Sequence, residues 1–179
     1  MGSNKLALPW RETTLLSHLV HQAIEHVDRM IVLLGPISHE LASQLPARAE
    51  VLLIERQTEQ MRETIEQSLS LLAGEADDVG ILLLLADQPH LSSVVMDTVI
   101  AAYRRHPSRI IIPTFQGRRG HPIVLPMFVL RGLRGLAADR GLNALIRLHE
   151  SQQTLVAIND AGIIEDIDEP ADYERHRPP

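Results

Sequence analysis

The chain has 179 residues, 45% of them apolar and 3% aromatic, enough for one domain of ordinary size with a core of Leu, Ile and Val. It contains no Cys, which excludes a disulfide framework, thiolate zinc sites and thiol catalysis. A net charge of -6 argues against nucleic acid as a partner, and no apolar window reaches the length that spans a bilayer. With no signal peptide in the first residues, a soluble cytoplasmic protein is the expectation.

Met1 to Trp10 reads as a loop carrying Gly2 and Lys5. Thr13 or Thr14 can cap a helix whose apolar stripe is Leu15, Leu16, Leu19, Val20, Ala23 and Val27. Met30 to Leu34 is a short aliphatic strand, Ser38 to Leu45 a short helix, and Val51 to Ile54 another strand. Thr58 can cap a helix with Met61, Ile65, Leu69 and Leu72 on one face, running out at Gly74. Ile81 to Ala86 is an unbroken apolar run. Ser92 to His106 is a helix buried through Val95, Met96, Val99, Ile100 and Tyr103, and Arg109 to Pro113 is a strand. A polar loop, Phe115 to Pro122, precedes a helix starting near Pro126. Gly141 to His149 is helical, Thr154 to Ile158 and Gly162 to Asp168 read as strands, and Pro170 opens a last short helix. Strands alternate with helices through short connections, without repeat or domain boundary. That pattern predicts an α/β three-layer sandwich with a mostly parallel sheet.

The run Ile81 to Ala86 stops at an acid, Asp87, with Pro89 just behind. Such a run is what a strand covered on both faces looks like, and ligands bind where strands of this kind open into loops. Asp87 is placed to hold a cation; the competing reading is a turn or helix cap, although Ser92 already offers that cap. Lys5, in a small-residue loop, can neutralise a phosphate, or it is an ordinary surface lysine. The acidic stretch Glu165 to Glu169 can supply a second carboxylate for a hard cation such as Mg²⁺, or be a solvated turn whose acids favour the next helix dipole. Gln116 to Pro122 joins two glycines, two arginines and His121, a composition suited to a phosphate or carboxylate ligand or to a plain connecting loop. The other histidines are scattered without metal-ligand spacing.

Four stretches, in order along essentially the whole chain, resemble the molybdenum-cofactor nucleotidyltransferases, especially their cytidylyltransferase branch. Lys5-Leu-Ala-Leu-Pro-Trp10 resembles the end of the nucleotide-binding signature, and Leu85-Ala-Asp-Gln-Pro89 the motif with an acid before a Pro. Gly120-His121-Pro122 matches the acceptor-side loop, and Asp166 to Tyr173 the C-terminal signature. The resemblance implies a single domain, 1–179, with a Rossmann-like α/β/α sandwich of the nucleotide-diphospho-sugar-transferase type. It implies transfer of CMP from CTP to a molybdopterin-type cofactor, with Mg²⁺ and release of pyrophosphate. Asp87 and Asp168 would hold the Mg²⁺, with Asp166 the alternative to Asp168. Lys5 would stabilise the nucleotide phosphates, Gly2 would let the backbone lie beside them, and Gly120, His121 and Pro122 would shape the acceptor pocket. GTP is the other nucleotide to consider, and a molybdenum hydroxylase is the implied recipient.

Three departures accompany these matches. The family's first strand and most of its Gly-rich loop lie upstream of where this chain starts, so both are expected to be missing. Glu55 to Met61 and Thr64 differ from residues that stand near base and ribose in relatives. Asn143 takes the place of an Arg in a Gly-Asp-x-Gly-Ala-Arg motif, with Arg147 one helical turn on as a partial substitute. The alternatives are a catalytically impaired protein that binds and delivers the molybdenum cofactor, and a guanylyl- or sugar-phosphate nucleotidyltransferase.

Overall fold

Asn4 caps a 3-10 turn, Lys5–Ala7, in the computed structural model, which describes residues 4–55 and 61–178. A short antiparallel pair, β1 (Pro9–Trp10) and β2 (Thr13–Thr14), leads to α1 (Leu15–Ala23), whose first turn is capped by Thr14 accepting from the Ser17 N–H. The predicted stripe of α1 is buried from Leu15 to Ala23, and a 3-10 turn, Ile24–His26, ends the helical path before Val27. β3 (Met30–Leu34) pairs in parallel with β4 (Ala49–Leu53), the two joined by the 3-10 segment Pro36–Gln44. α2 (Met61–Ser68) follows; the cap proposed at Thr58 lies outside the described residues.

Next come β5 (Gly80–Leu83), α3 (Ser93–Arg105) with its Ser92 cap, β6 (Ile110–Phe115), β7 (Arg118–Arg119) and β8 (Ile123–Pro126). α4 (Met127–Arg131), α5 (Leu142–Leu148), β9 (Gln153–Ala157) and α6 (Pro170–His176) complete the order. Alternation along the strands explains the layers, because successive side chains leave a sheet on opposite faces. Ile110, Ile112, Ile123, Leu125, Ile81 and Leu83 pack with α2, α4 and α5, whereas Ile111, Val124 and Leu82 pack against Val99, Ala102 and Tyr103 of α3. Helices therefore cover both faces, as a three-layer α/β/α arrangement requires. α1 and the parallel pair β3–β4 share a further apolar cluster built on Leu16, Val20, Val32, Leu34 and Leu41.

Four details differ from the sequence reading. The sheet is mixed: β6 and β9 are parallel, but β8 runs antiparallel to both β5 and β6. The reason is local. Gln116 and Gly117 take positive φ values of 49° and 80°, turning β6 back through β7, so the chain returns along the sheet. Ile123–Pro126 is accordingly a strand, and the helix near Pro126 begins only after it. The apolar run after Gly80 forms a ladder only to Leu83, and among the described residues β5 pairs with β8 alone, at the edge of its sheet. Its apolar continuity reflects helices on both faces, not a central position. Gly162 to Asp168 forms no strand: after a 3-10 turn, Ala161–Ile164, its backbone bonds to loops, Ile163 O accepting from His121 N and Ile167 N donating to Asp87 O.

A buried arginine joins two of these elements. Arg62 of α2 is 8% exposed and donates to the carbonyls of Leu133, Leu136, Ala137 and Arg140, while its Nε bonds Glu66 at 2.8 Å. One guanidinium thus satisfies the carbonyls that end the 3-10 turn Gly132–Gly135 and the loop after it. Among the described residues, no helix is long and apolar enough to cross a membrane.

Gly120 marks a close approach of two segments. A Cβ added there would lie 2.1 Å from the carbonyl oxygen of Ile163, a backbone atom that cannot rotate away. Gly120→Ala should therefore cost roughly 3 kcal/mol, the upper part of the usual overpacking range. Urea denaturation checks this; a loss below 1 kcal/mol would mean that the 161–164 turn simply shifts.

Candidate active site

The site begins with the packing that holds the two chain ends together. Trp10, Leu15 and Ile167 form a small buried cluster, joined by Leu6 and Tyr173. The Tyr173 hydroxyl donates to the Pro9 carbonyl, and the Trp10 and Tyr173 rings lie 6.3 Å apart. Burying Ile167 brings its neighbour Asp168 beside the 3-10 turn that carries Lys5. Asn4 holds that turn from the other side, donating to Ile37 O at 2.8 Å and accepting from Ser38 Oγ.

Asp87 arrives from the opposite direction, where the chain leaves β5 and turns. Its carbonyl accepts from Ile167 N at 2.9 Å, so the two acid-bearing segments are stitched together directly. Lys5 Nζ then bonds Asp87 Oδ2 and Asp168 Oδ1, both at 2.8 Å. Two carboxylates from distant parts of the chain converge on one cationic atom. Asp166 is not one of them: it accepts from the Gln88 side chain at 2.7 Å, which turns it away from Lys5. Gln88 is only 1% exposed, and its Oε1 has no hydrogen-bond partner among the described residues. Sequence reasoning passed over Gln88, although it lies inside the Asp-Gln-Pro stretch singled out for its acid.

The electrostatics follow from this geometry. Partial burial by itself lowers the Lys5 pKa, but the hydrogen bonds to Asp168 and Asp87, with their charges, outweigh it and raise the pKa above the ordinary lysine value. Lys5 is charged throughout the neutral range. A hard cation wants oxygen ligands, and the carboxylates of Asp87 and Asp168 already converge on a positive charge, so the donor set fits Mg²⁺.

The acceptor-side loop lies against the same region. Gly120 N donates to Pro113 O and His121 N to Ile163 O, and the His121–Pro122 peptide is cis. Burial holds the His121 pKa below the usual histidine value, against the opposing charges of Asp166 and Asp87. His121 is therefore a neutral hydrogen-bonding group at pH 7, within the field of Asp87, one of the two acids that meet Lys5, and of Asp166. Arg118 and Arg119 of that loop are exposed on β7. Gly2 lies outside the described residues. Asn143 and Arg147 line one surface cleft together with Asp139 and Arg140.

Helices on both faces of a mixed sheet, with acids gathered where strand β5 opens into its loop, make an α/β sandwich with its acids at the loop edge where ligands of such folds bind. The chain belongs to the MobA-like NTP transferase domain family, whose pattern matches residues 1–155. It is similar to the molybdenum cofactor cytidylyltransferase of Escherichia coli (strain K12), 24% identical over 97% of this chain and 86% of the relative. It is also similar to the purine catabolism protein PucB of Bacillus subtilis (strain 168), 29% identical over 55% of this chain; the chain spans less than half, 47%, of that relative's length. Among solved structures, Rv0371c from Mycobacterium tuberculosis H37Rv superposes with a TM-score of 0.82 at 23% identity, covering 98% of this chain and 90% of that one. The manganese complex of Rv0371c gives a TM-score of 0.79 at 22% identity, covering 98% and 92%. The chain is thus a nucleotidyltransferase of the MobA-like type.

Proposed function

We propose that this chain, as a single domain over 1–179, transfers CMP from CTP to a molybdopterin-type molybdenum cofactor. The observation that carries the reading is the convergence of Asp87 and Asp168 on Lys5, with both contacts at 2.8 Å. The similarity to the Escherichia coli cytidylyltransferase over 97% of the chain supports the choice of nucleotide and acceptor. In this reaction a terminal phosphate oxygen of the pterin attacks the α-phosphorus of CTP. The bond from that phosphorus to the bridging oxygen breaks, and pyrophosphate leaves with the electron pair. Such a step needs positioning and neutralisation of charge more than a strong base.

The residues divide that work. Asp87 and Asp168 hold Mg²⁺, which supplies positive charge beside the nucleotide phosphates, a role in keeping with the manganese complex known for Rv0371c. Lys5 adds a second positive charge at the same place. Gly120, His121 and Pro122 shape the acceptor pocket, with neutral His121 offering a hydrogen bond to the pterin or its phosphate. The cytoplasm, which supplies CTP and Mg²⁺, is the setting, and a molybdenum hydroxylase is the recipient of the product.

Titration calorimetry with CTP and with GTP in Mg²⁺, followed by a pyrophosphate-release assay with the molybdenum cofactor as acceptor, tests this. Saturable CTP binding with pyrophosphate release is expected. Tighter GTP binding would shift the reading to a guanylyltransferase. Cofactor binding without any pyrophosphate release would favour a delivery role.

A further inference from the structure

One cluster of side chains takes no part in the site around Lys5. His90 stands three residues beyond Asp87, Glu165 three residues before Asp168, and His176 ends α6. Widely separated in sequence, the three come together so closely that one ligand atom from each lies within 4.8 Å of the others. The two imidazoles stack with centroids 4.6 Å apart, and His176 Nε2 lies 3.5 Å from Glu165 Oε2.

The hydrogen bonding of these rings is incomplete. His90 Nε2 lies 3.2 Å from the Gly162 carbonyl, a contact that an N–H makes and a lone pair does not. That bond leaves the lone pair on His90 Nδ1, which is buried and has no hydrogen-bond partner among the described residues; His176 Nε2, also buried, makes no hydrogen bond among them and faces Glu165 Oε2 at 3.5 Å. Two buried imidazole nitrogens without hydrogen bonds, beside one carboxylate, are costly unless something binds them.

We propose that His90, Glu165 and His176 bind a divalent transition ion of the Zn²⁺ class, at a site separate from the Asp87–Asp168 pair. Two imidazole nitrogens and one carboxylate oxygen are ligands that Zn²⁺ accepts readily, and they leave a fourth position for water. Mg²⁺, which prefers oxygen, is a poor match. The Gly162 carbonyl, accepting from His90 Nε2, fixes the tautomer in the way that outer partners of metal-bound histidines do. Zinc–nitrogen bonds are about 2.0–2.1 Å long, so the ligands close in on the ion and the His176 ring turns out of the stack. His176 is the last residue of α6, where such a turn leaves the sheet undisturbed. The ion then clamps the turn that follows Asp87 to the segment that precedes Asp168, bracing both acids from the side away from Lys5. This inference rests on the geometry around His90 and does not depend on which nucleotide the chain uses.

The test is calorimetry with ZnCl₂ on metal-stripped full-length protein, with Co²⁺ substitution to read the ligand field from the visible spectrum. One saturable Zn²⁺ site per chain is expected, with the strong visible absorption of low-coordinate Co²⁺ and a higher melting temperature. His176→Ala, and separately His90→Gln, should each weaken zinc binding by on the order of 100-fold or more, while excess Mg²⁺ leaves it unchanged. The double variant Asp87→Asn/Asp168→Asn should retain zinc binding, which separates this site from the nucleotide site. Circular dichroism shows whether His90→Gln folds; if it does not, His176→Ala decides. Absence of saturable Zn²⁺ binding, survival of binding in His176→Ala, or its loss in the Asp87→Asn/Asp168→Asn variant overturns the proposal.

Discussion

Asp87→Asn should lower the rate of nucleotidyl transfer by about 100-fold or more, roughly 2.7 kcal/mol of transition-state stabilisation, while leaving the fold intact. Asn keeps the shape of the side chain and removes only its charge. The backbone bond from Ile167 N to Asp87 O, which holds the two acidic segments together, does not involve the side chain and is kept. The carboxylate is 25% exposed, so the amide is not stranded in a dry interior. Lys5 keeps Asp168 as a partner, and its ammonium remains in place. What disappears is half of the oxygen pair that suits a divalent cation, together with the charge that attracts it. Pyrophosphate release as a function of Mg²⁺ concentration measures the effect. Asp168→Asn should follow the same course with a smaller loss, because its carboxylate is 68% exposed and solvent can replace part of what it offers. An Asp87→Asn protein with unchanged turnover would show that the acids around Lys5 serve the fold alone.

Arg62→Met should destabilise the protein by roughly 3 kcal/mol without touching the site residues. Methionine retains much of the side chain's length and apolar stem, so the loss reports mainly on the guanidinium. That group reaches Leu133 O at 3.2 Å, Leu136 O at 3.1 Å and Arg140 O at 2.7 Å, besides Ala137 O and Glu66. These carbonyls end a 3-10 turn and its following loop; Leu133 O and Ala137 O also accept from the backbone N–H groups of Leu136 and Arg140, so Leu136 O and Arg140 O depend most on the guanidinium. Removing the donors takes that bond from Leu136 O and Arg140 O and strands Glu66 beside them. Arg62→Lys should recover only a small part, since one ammonium lacks the planar fork that serves so many carbonyls at once. Urea denaturation followed by circular dichroism measures both variants. A loss under 1 kcal/mol for Arg62→Met would show that water replaces the guanidinium at those carbonyls.

Both cases show what a linear reading can and cannot reach. Arg62 is an unremarkable basic residue on an amphipathic helix when read in line, because its carbonyl partners lie more than seventy residues away. Gln88 and Asp166 are hidden in the same way: each sits within a stretch noticed for another residue, and only folding pairs them. The strand Ile123–Pro126 escaped because a four-residue apolar run before a helix carries too little periodicity to separate strand from helix lead-in. The segment from Gly162 to Asp168 reads as a strand from its apolar residues, yet Ile163 and Ile167 are buried in two different clusters and, among the described residues, no strand pairs with it.

Much was determined by sequence alone. The stripe of α1, the aliphatic strand Met30–Leu34, the Ser92-capped helix and the alternation of strands with helices are local consequences of side-chain spacing, and they specify an α/β fold. Order along the chain also singled out Lys5, Asp87 and Asp168 before any contact was known. Tertiary structure alone decided that Asp168 rather than Asp166 meets Lys5, that the run ending near Asp87 lies at a sheet edge, and that His90, Glu165 and His176 converge. The reason is physical. Periodicity and capping act over one or two turns, whereas these placements depend on Ile167 burying itself against Trp10 and Leu15 across most of the chain's length.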